Sequence, residues 1–203
     1  MNVFKFGGAS VKDANGVKNL AKALKKVGYK NTLIVVSAMG KTTNAIEQVI
    51  NVYFNNKAEL QSAIQEVKKF HNAILIDLFE NENHTVYNKV TKLFAELEAF
   101  LSNNKSPDYN FVYDQTISYG ELISTTIVSA YLDDVGLKNN WLDIRDFIKT
   151  DNYYRCANVN WEATQKLISS KIDSKVLSIT QGFIASDSNN FTTTLGREGS
   201  DYT

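Results

Sequence analysis

Four short segments hold the residue types and spacings that chemistry needs. The first is Lys5-Phe6-Gly7-Gly8-Ala9-Ser10, a lysine followed by two glycines where an apolar run ends. Backbone N–H groups beside a mobile positive charge suit a phosphate, although a tight turn with a solvated lysine has the same composition. The segment is not a Walker A loop, which needs glycine, four residues, then glycine-lysine-serine or threonine. The second is Thr192-Thr193-Thr194-Leu195-Gly196-Arg197-Glu198-Gly199-Ser200-Asp201, which gathers hydroxyls, glycines, an arginine and acids. A glycine-flanked arginine lets a guanidinium and backbone amides approach a carboxylate or phosphate closely, better than a solvent loop requires. Glu121, after Gly120, is suited either to a ligand ammonium or simply to the positive end of a helix dipole. Asp143, Arg145, Thr150 and Asp151 form the fourth group, open to reading as a site or as a structural ion network. His71 and His84 lack the companions of a metal site or of a Ser-His-Asp arrangement.

The elements that must position these groups can be read from hydrophobic spacing. Residues 3–6 and 32–36 read as buried strands, and between them Val11, Val17, Leu20, Ala21, Leu24 and Val27 fall mostly at helical spacing, closed by Gly28. Residues 43–101 read as a helical layer or arm with helices at 45–54, 60–79 and 86–101, and residues 102–108, with the lone proline, read as a loop. Helices are expected at 116–132 and 161–170, and strands at 138–144 and 176–180. Alternating strands and helices imply an α/β fold with a mostly parallel sheet covered on both faces, and ligands then bind beyond the carboxyl ends of the strands. Lys5, Ser37, Asp143 and Gln181 all fall near such ends.

Composition narrows the functional classes. With 203 residues, 43% hydrophobic and 22% charged, the chain reads as one globular unit. Lysines plus arginines equal aspartates plus glutamates at 22 each, so no positive field favours nucleic acid. Cys156 is the single cysteine, which leaves no internal disulfide and fits a reducing cytoplasm. No apolar run approaches the roughly 20 residues that span a bilayer, so no membrane partner is expected.

Taken in order, these segments resemble the aspartokinase branch of the amino acid kinase family. The resemblance covers nearly the whole chain and rests on Lys5-Phe6-Gly7-Gly8-Ala9-Ser10-Val11, on Val35-Val36-Ser37-Ala38-Met39-Gly40 with Thr43-Asn44, on Gly120-Glu121-Leu122, and on Thr193-Thr194-Leu195-Gly196-Arg197-Glu198-Gly199-Ser200-Asp201. Ala9, Lys41 and Glu198 depart from the commonest pattern, which has threonine, glycine and glycine there.

The resemblance implies a three-layer α/β/α fold and transfer of the ATP γ-phosphoryl group to the side-chain carboxylate of L-aspartate. It assigns Lys5, Gly7, Gly8 and Ser10 to the phosphoryl end, and Ser37 to the centre of the site. Thr43 and Glu121 would bind aspartate, Arg197 would grip its α-carboxylate with Ser200 alongside, and Asp201 would organise the lysine and phosphoryl region. ATP would arrive with Mg²⁺, no protein-bound metal is implied, and the full-length parent would be a homodimer. Residues 1–203 are expected to be the amino-terminal part of the catalytic domain, without the later nucleotide-binding segment and the ACT-type regulatory domains, and so weakly active or inactive alone. An inactive amino-acid-binding module, and a kinase of another acidic amino acid, are the alternatives.

Overall fold

In the computed structural model, residues 1–172, 175–196, 199 and 203 are described. The chain runs β1 (Asn2–Phe6), α1 (Ala14–Val27), β2 (Thr32–Val36), α2 (Thr42–Asn55), α3 (Leu60–Leu78), α4 (Thr85–Asn103), α5 (Tyr109–Ile117) and α6 (Tyr119–Asp134). It continues through β3 (Asn140–Leu142), α7 (Trp161–Lys171), β4 (Ser178–Gln181), β5 (Ile184–Ser186) and β6 (Thr192–Thr194). β1 to β4 form a parallel sheet in the order β1-β2-β4-β3, flanked by helices, and β5 and β6 form an antiparallel pair. The register pairs Lys5 with Val35 and Val35 with Thr180, which aligns the strands' carboxyl ends.

β2 is the spine of this arrangement. All five of its residues are buried, as expected of a strand covered on both faces. β1 is different: it lies at the edge of the described sheet, and Val3 is 55% exposed, so the expectation of a buried first strand is corrected. Its apolar run is equally compatible with either position, because periodicity does not report what lies on the far side of a strand.

Local chemistry explains the helix boundaries. The Asp13 side chain accepts the Gly16 N–H at 2.8 Å and caps α1, and Gly28, at φ +90°, ends it by donating its N–H to the Leu24 carbonyl. Asp108 accepts the N–H groups of Asn110 and Phe111 and opens α5 just after the proline loop. The expected helix over 116–132 is in fact two, broken at Ser118, because α5 begins well before it. α5 escapes pattern reading because it buries Val112, Tyr113, Asp114, Thr116 and Ile117 with no clean apolar stripe. β5 and β6 are three residues each, and β6 is Thr-Thr-Thr, so their pairing comes from long-range contact. The strand expected over 138–144 shrinks to three residues and gives way to a 3-10 turn at Ile144–Asp146.

The helices between β2 and β3 share one hydrophobic core with the sheet. Ile34, Val36 and Ile179 meet Ile46, Ile50, Ile64, Leu75, Leu97, Ile123 and Ile127 there. Truncating such a side chain to alanine typically costs about 2–5 kcal/mol. A smaller cluster of Leu122, Ile144, Phe147, Ile148, Ile184, Ala185 and Leu195 supports the β5–β6 pair, with Ile168 of α7 against it. The two clusters hold the two walls of the cleft described next.

Candidate active site

The carboxyl ends of β1 and β2 are bound to one another by their backbones. The Ser37 N–H donates to the Phe6 carbonyl at 3.1 Å, and the Gly40 N–H donates to the Gly8 carbonyl at 3.0 Å. A β-carbon on Gly8 would lie 2.6 Å from the Ala38 carbonyl oxygen, so only glycine lets these loops close. Gly120 does the same for α6, where an added β-carbon would stand 3.1 Å from that of Ala38. α6 therefore delivers Glu121 directly against the β2 loop. After Gly7 the chain makes a 3-10 turn, Gly8–Val11, in which the Ser10 N–H already donates to the Gly7 carbonyl. The helical spacing read from Val11 onward is corrected on this point, since Val11 belongs to the 3-10 turn and α1 begins only at Ala14.

Beyond these loops opens a cleft of about 510 Å³, lined by Ser37, Thr43, Glu47, Tyr113, Glu121, Arg155, Phe183, Thr194, Gly196 and Gly199. Three residues singled out in the sequence, Ser37, Thr43 and Glu121, thus meet in one space although 84 positions separate the first from the last. Lys5, Gly7 and Gly8 lie at the end of β1 and do not line this cleft, and Ser10 borders a separate hollow with Phe6, Ala9, Lys12 and Asp13. Arg197, Ser200 and Asp201 lie outside the described residues, while Gly196 and Gly199, which flank the arginine, border the cleft.

Glu121 is 3% exposed. Its Oε1 accepts the Ala38 N–H at 3.3 Å, and its Oε2 has no hydrogen-bond partner among the described residues. Burial pushes its pKa up to about 8, against the opposing pull of that N–H. A solvated acid favoured only by the helix dipole would have neither property. A buried carboxylate oxygen left without a partner, on a residue that lines a cleft, suits a cationic donor, because leaving it unpaired is costly.

Asp114, Tyr113, Glu47 and Arg155 of the cleft region were not singled out in the sequence. Asp114, buried on α5, accepts the N–H groups of Arg155 and Thr194, each at 2.9 Å on Oδ2, and the Thr194 hydroxyl at 2.7 Å on Oδ1. Burial outweighs these donors and raises its pKa to about 6. Asp114 thereby ties α5, the loop after β3 and β6 into one wall. The Tyr113 hydroxyl donates to Glu47 at 2.8 Å, and burial together with that carboxylate pushes its pKa up. Arg155 has φ +70° and places its guanidinium 4.4 Å from the Tyr113 ring centroid. A left-handed backbone costs a residue with a β-carbon roughly 1–2 kcal/mol, and a lone acid within an aromatic run was the faint clue to the wall beneath it.

The group at 143–151 is structural in this arrangement. Arg145 forks onto Asp143 at 2.6 and 2.9 Å and reaches the Thr192 hydroxyl, while Thr150 bonds Thr193 at 2.7 Å. Asp151 accepts from Asn158 and Tyr153 in its own loop. His71 is buried in α3 with Nδ1 against the Val67 carbonyl, and burial lowers its pKa to about 4. His84 caps α4. Among the described residues, no group of three or more His, Cys, Asp or Glu could hold a metal ion.

The whole chain, residues 1–203, matches the model of the amino acid kinase family. The chain belongs to that family. It is 30% identical to aspartokinase 1, chloroplastic, of Arabidopsis thaliana, over 99% of this chain and 36% of that protein. It is 27% identical to the lysine-sensitive aspartokinase 3 of Escherichia coli, over 99% of this chain and 44% of that one. The crystal structure of E. coli aspartokinase III in complex with aspartate and ADP superposes with a TM-score of 0.88 at 27% identity, covering 100% of this chain and 45% of that chain. The chain therefore spans less than half the length of these relatives. Like other members of that family, it has the expected α/β architecture, a mostly parallel central sheet between helices. Among the described residues, no helix is long and apolar enough to cross a membrane.

Proposed function

We propose that this chain carries the amino-acid-binding part of an aspartate kinase catalytic domain, which moves the ATP γ-phosphoryl group onto the side-chain carboxylate of L-aspartate. The observation that carries the reading is Glu121, a buried residue of the cleft lining shared with Ser37 and Thr43, one of whose carboxylate oxygens is unpartnered among the described residues. That oxygen would receive the substrate ammonium, and the Ser37 and Thr43 hydroxyls would donate to its carboxylates. Aspartate's side chain has a reference pKa near 3.9, so the nucleophile is ionised at neutral pH and needs no general base. One side-chain oxygen would form the new bond to the γ-phosphorus as the bond to the β,γ-bridging oxygen breaks, giving 4-aspartyl phosphate and ADP. Such a transfer needs alignment and positive charge on the moving oxygens, which Lys5 and the Mg²⁺ of the MgATP substrate would supply. By resemblance, Arg197, Ser200 and Asp201 complete the site.

A second reading, an amino-acid-binding module without transfer, draws on the position of Lys5, Gly7 and Gly8 outside the cleft. Calorimetric titration separates the possibilities. L-aspartate should bind the folded chain more tightly than L-glutamate, and Glu121→Gln should weaken it about 100-fold or more, the scale on which a buried charge pair is lost. Equal binding of both amino acids, or an unaltered Glu121→Gln chain, would overturn the assignment; binding without phosphoryl transfer in the full-length protein would favour the module.

A further inference from the structure

The reading above uses Ser37, Thr43 and Glu121 and leaves Arg155, on the same cleft wall, without a role. Its placement is unusual in three independent ways. The backbone sits at φ +70°, a region where glycine is comfortable and an arginine is not. It is held there because Asp114 Oδ2 accepts the Arg155 N–H at 2.9 Å while also accepting that of Thr194, so the wall dictates the strained conformation. The guanidinium lies over the Tyr113 ring at 4.4 Å, and Tyr113 is itself anchored by its hydroxyl to Glu47. Despite two acids on the same cleft, Glu47 and Glu121, Arg155 makes no ion pair among the described residues.

A guanidinium stacked on a ring keeps its N–H groups in the plane of the fork, available to a carboxylate from the side. Stacking also removes much of the freedom that a long side chain would lose on binding. Backbone strain at a cleft, retained where glycine would relieve it, points to use of the side chain. An acidic amino acid whose ammonium rests at Glu121 necessarily brings carboxylates into this same space.

We infer that Arg155 is a specificity-determining residue of the cleft, its guanidinium donating to a carboxylate of the acidic amino acid held at Glu121. This rests on the amino-acid-binding reading. The carboxylate belongs either to the ligand's α-carbon or to its side chain, and L-asparagine, which keeps only the first, distinguishes them.

The test is calorimetric titration of L-aspartate and L-asparagine into the 203-residue chain, with Arg155→Gly and Arg155→Met compared. Glycine relieves the backbone, so Arg155→Gly should melt at the same temperature as the parent or higher, and Arg155→Met keeps the stem over Tyr113 without the charge. Both variants should bind L-aspartate at least tenfold more weakly than the parent. A parallel loss for L-asparagine assigns the α-carboxylate, and an unchanged asparagine affinity assigns the side-chain carboxylate; either supports the inference. L-aspartate affinity within twofold of the parent in either variant overturns the role of Arg155 while leaving the amino-acid reading intact. A parent chain that melts cooperatively yet binds neither ligand overturns both.

Discussion

The two ends of the candidate site are built by opposite means. At the end proposed to hold the amino acid, Glu121 and Asp114 are buried acids whose surroundings are set by α5, α6, β6 and the loop after β3, elements far apart in sequence. At the end proposed to hold the phosphoryl group, Lys5 and the two glycines follow one another along a strand at the edge of the described sheet and a turn. The difference is one of electrostatics. A buried carboxylate gains strength from low dielectric but must be matched by a donor, whereas an exposed lysine is screened and tolerates many arrangements. The amino-acid end should therefore be selective and sensitive to pH and packing, and the phosphoryl end should depend on the ligand's own charge.

The largest effect expected from this contrast is on ligand affinity as a function of pH. Glu121, with its pKa raised to about 8, is mostly protonated at pH 7 in the free chain, while an ammonium partner needs it ionised. Binding should then release close to one proton, and affinity should rise about tenfold per pH unit up to about pH 8 before levelling off. Titrations in buffers of differing ionisation enthalpy measure that proton directly; no release would mean the ammonium is not at Glu121. The same shift has the opposite sign for stability. Both raised acids favour the folded state fully at low pH, and that contribution is lost as pH rises from the ordinary carboxylate range through about 6 for Asp114 and about 8 for Glu121.

Next in size is Asp114→Asn. Three donors converge on this carboxylate, and an amide can accept only on its oxygen while its NH₂ faces one of them. Denaturant unfolding should show a loss of about 1–3 kcal/mol. Aspartate affinity should fall as well, because β6 and the Arg155 loop lose their common anchor. Retained stability would show that α5 and β6 are held chiefly by apolar packing.

The smallest expected effect on stability and on aspartate affinity is that of Lys5→Ala. Stability should change by less than about 0.5 kcal/mol, as for most exposed substitutions, and L-aspartate binding to the chain should be unchanged. Phosphoryl transfer by the full-length protein should drop sharply in a steady-state assay. A loss of aspartate affinity would instead join the two ends into one site and break the contrast.

Much of the molecule was legible before any coordinates. The helices α1 to α4 and α7, with apolar positions at helical spacing and Gly28 as a cap, are local phenomena, as is the buried β-branched run of β2. Ser37 and Thr43 were assigned through the family resemblance, and Glu121 also by its place after Gly120, and the structure places all three on one cleft. Arg197, Ser200 and Asp201 were equally prominent and lie outside the described residues. Asp114, Tyr113, Glu47 and Arg155 were not legible. Each is an ordinary residue in its local context, and each acquires its part from partners between 41 and 80 positions away in the case of Asp114, or 66 in that of Tyr113.

The sequence by itself determined which segments coil, which extend, and where glycines permit backbones to meet, because propensity, capping and periodicity act over a few residues. Only the tertiary structure decided that β1 lies at the edge of the described sheet, that Thr192–Thr194 is a strand, that Glu121 keeps an oxygen unpartnered among the described residues and that Arg155 is held at a positive φ over a tyrosine. Those properties are set by burial and by long-range hydrogen bonds, whose strength depends on what the folded chain removes from water.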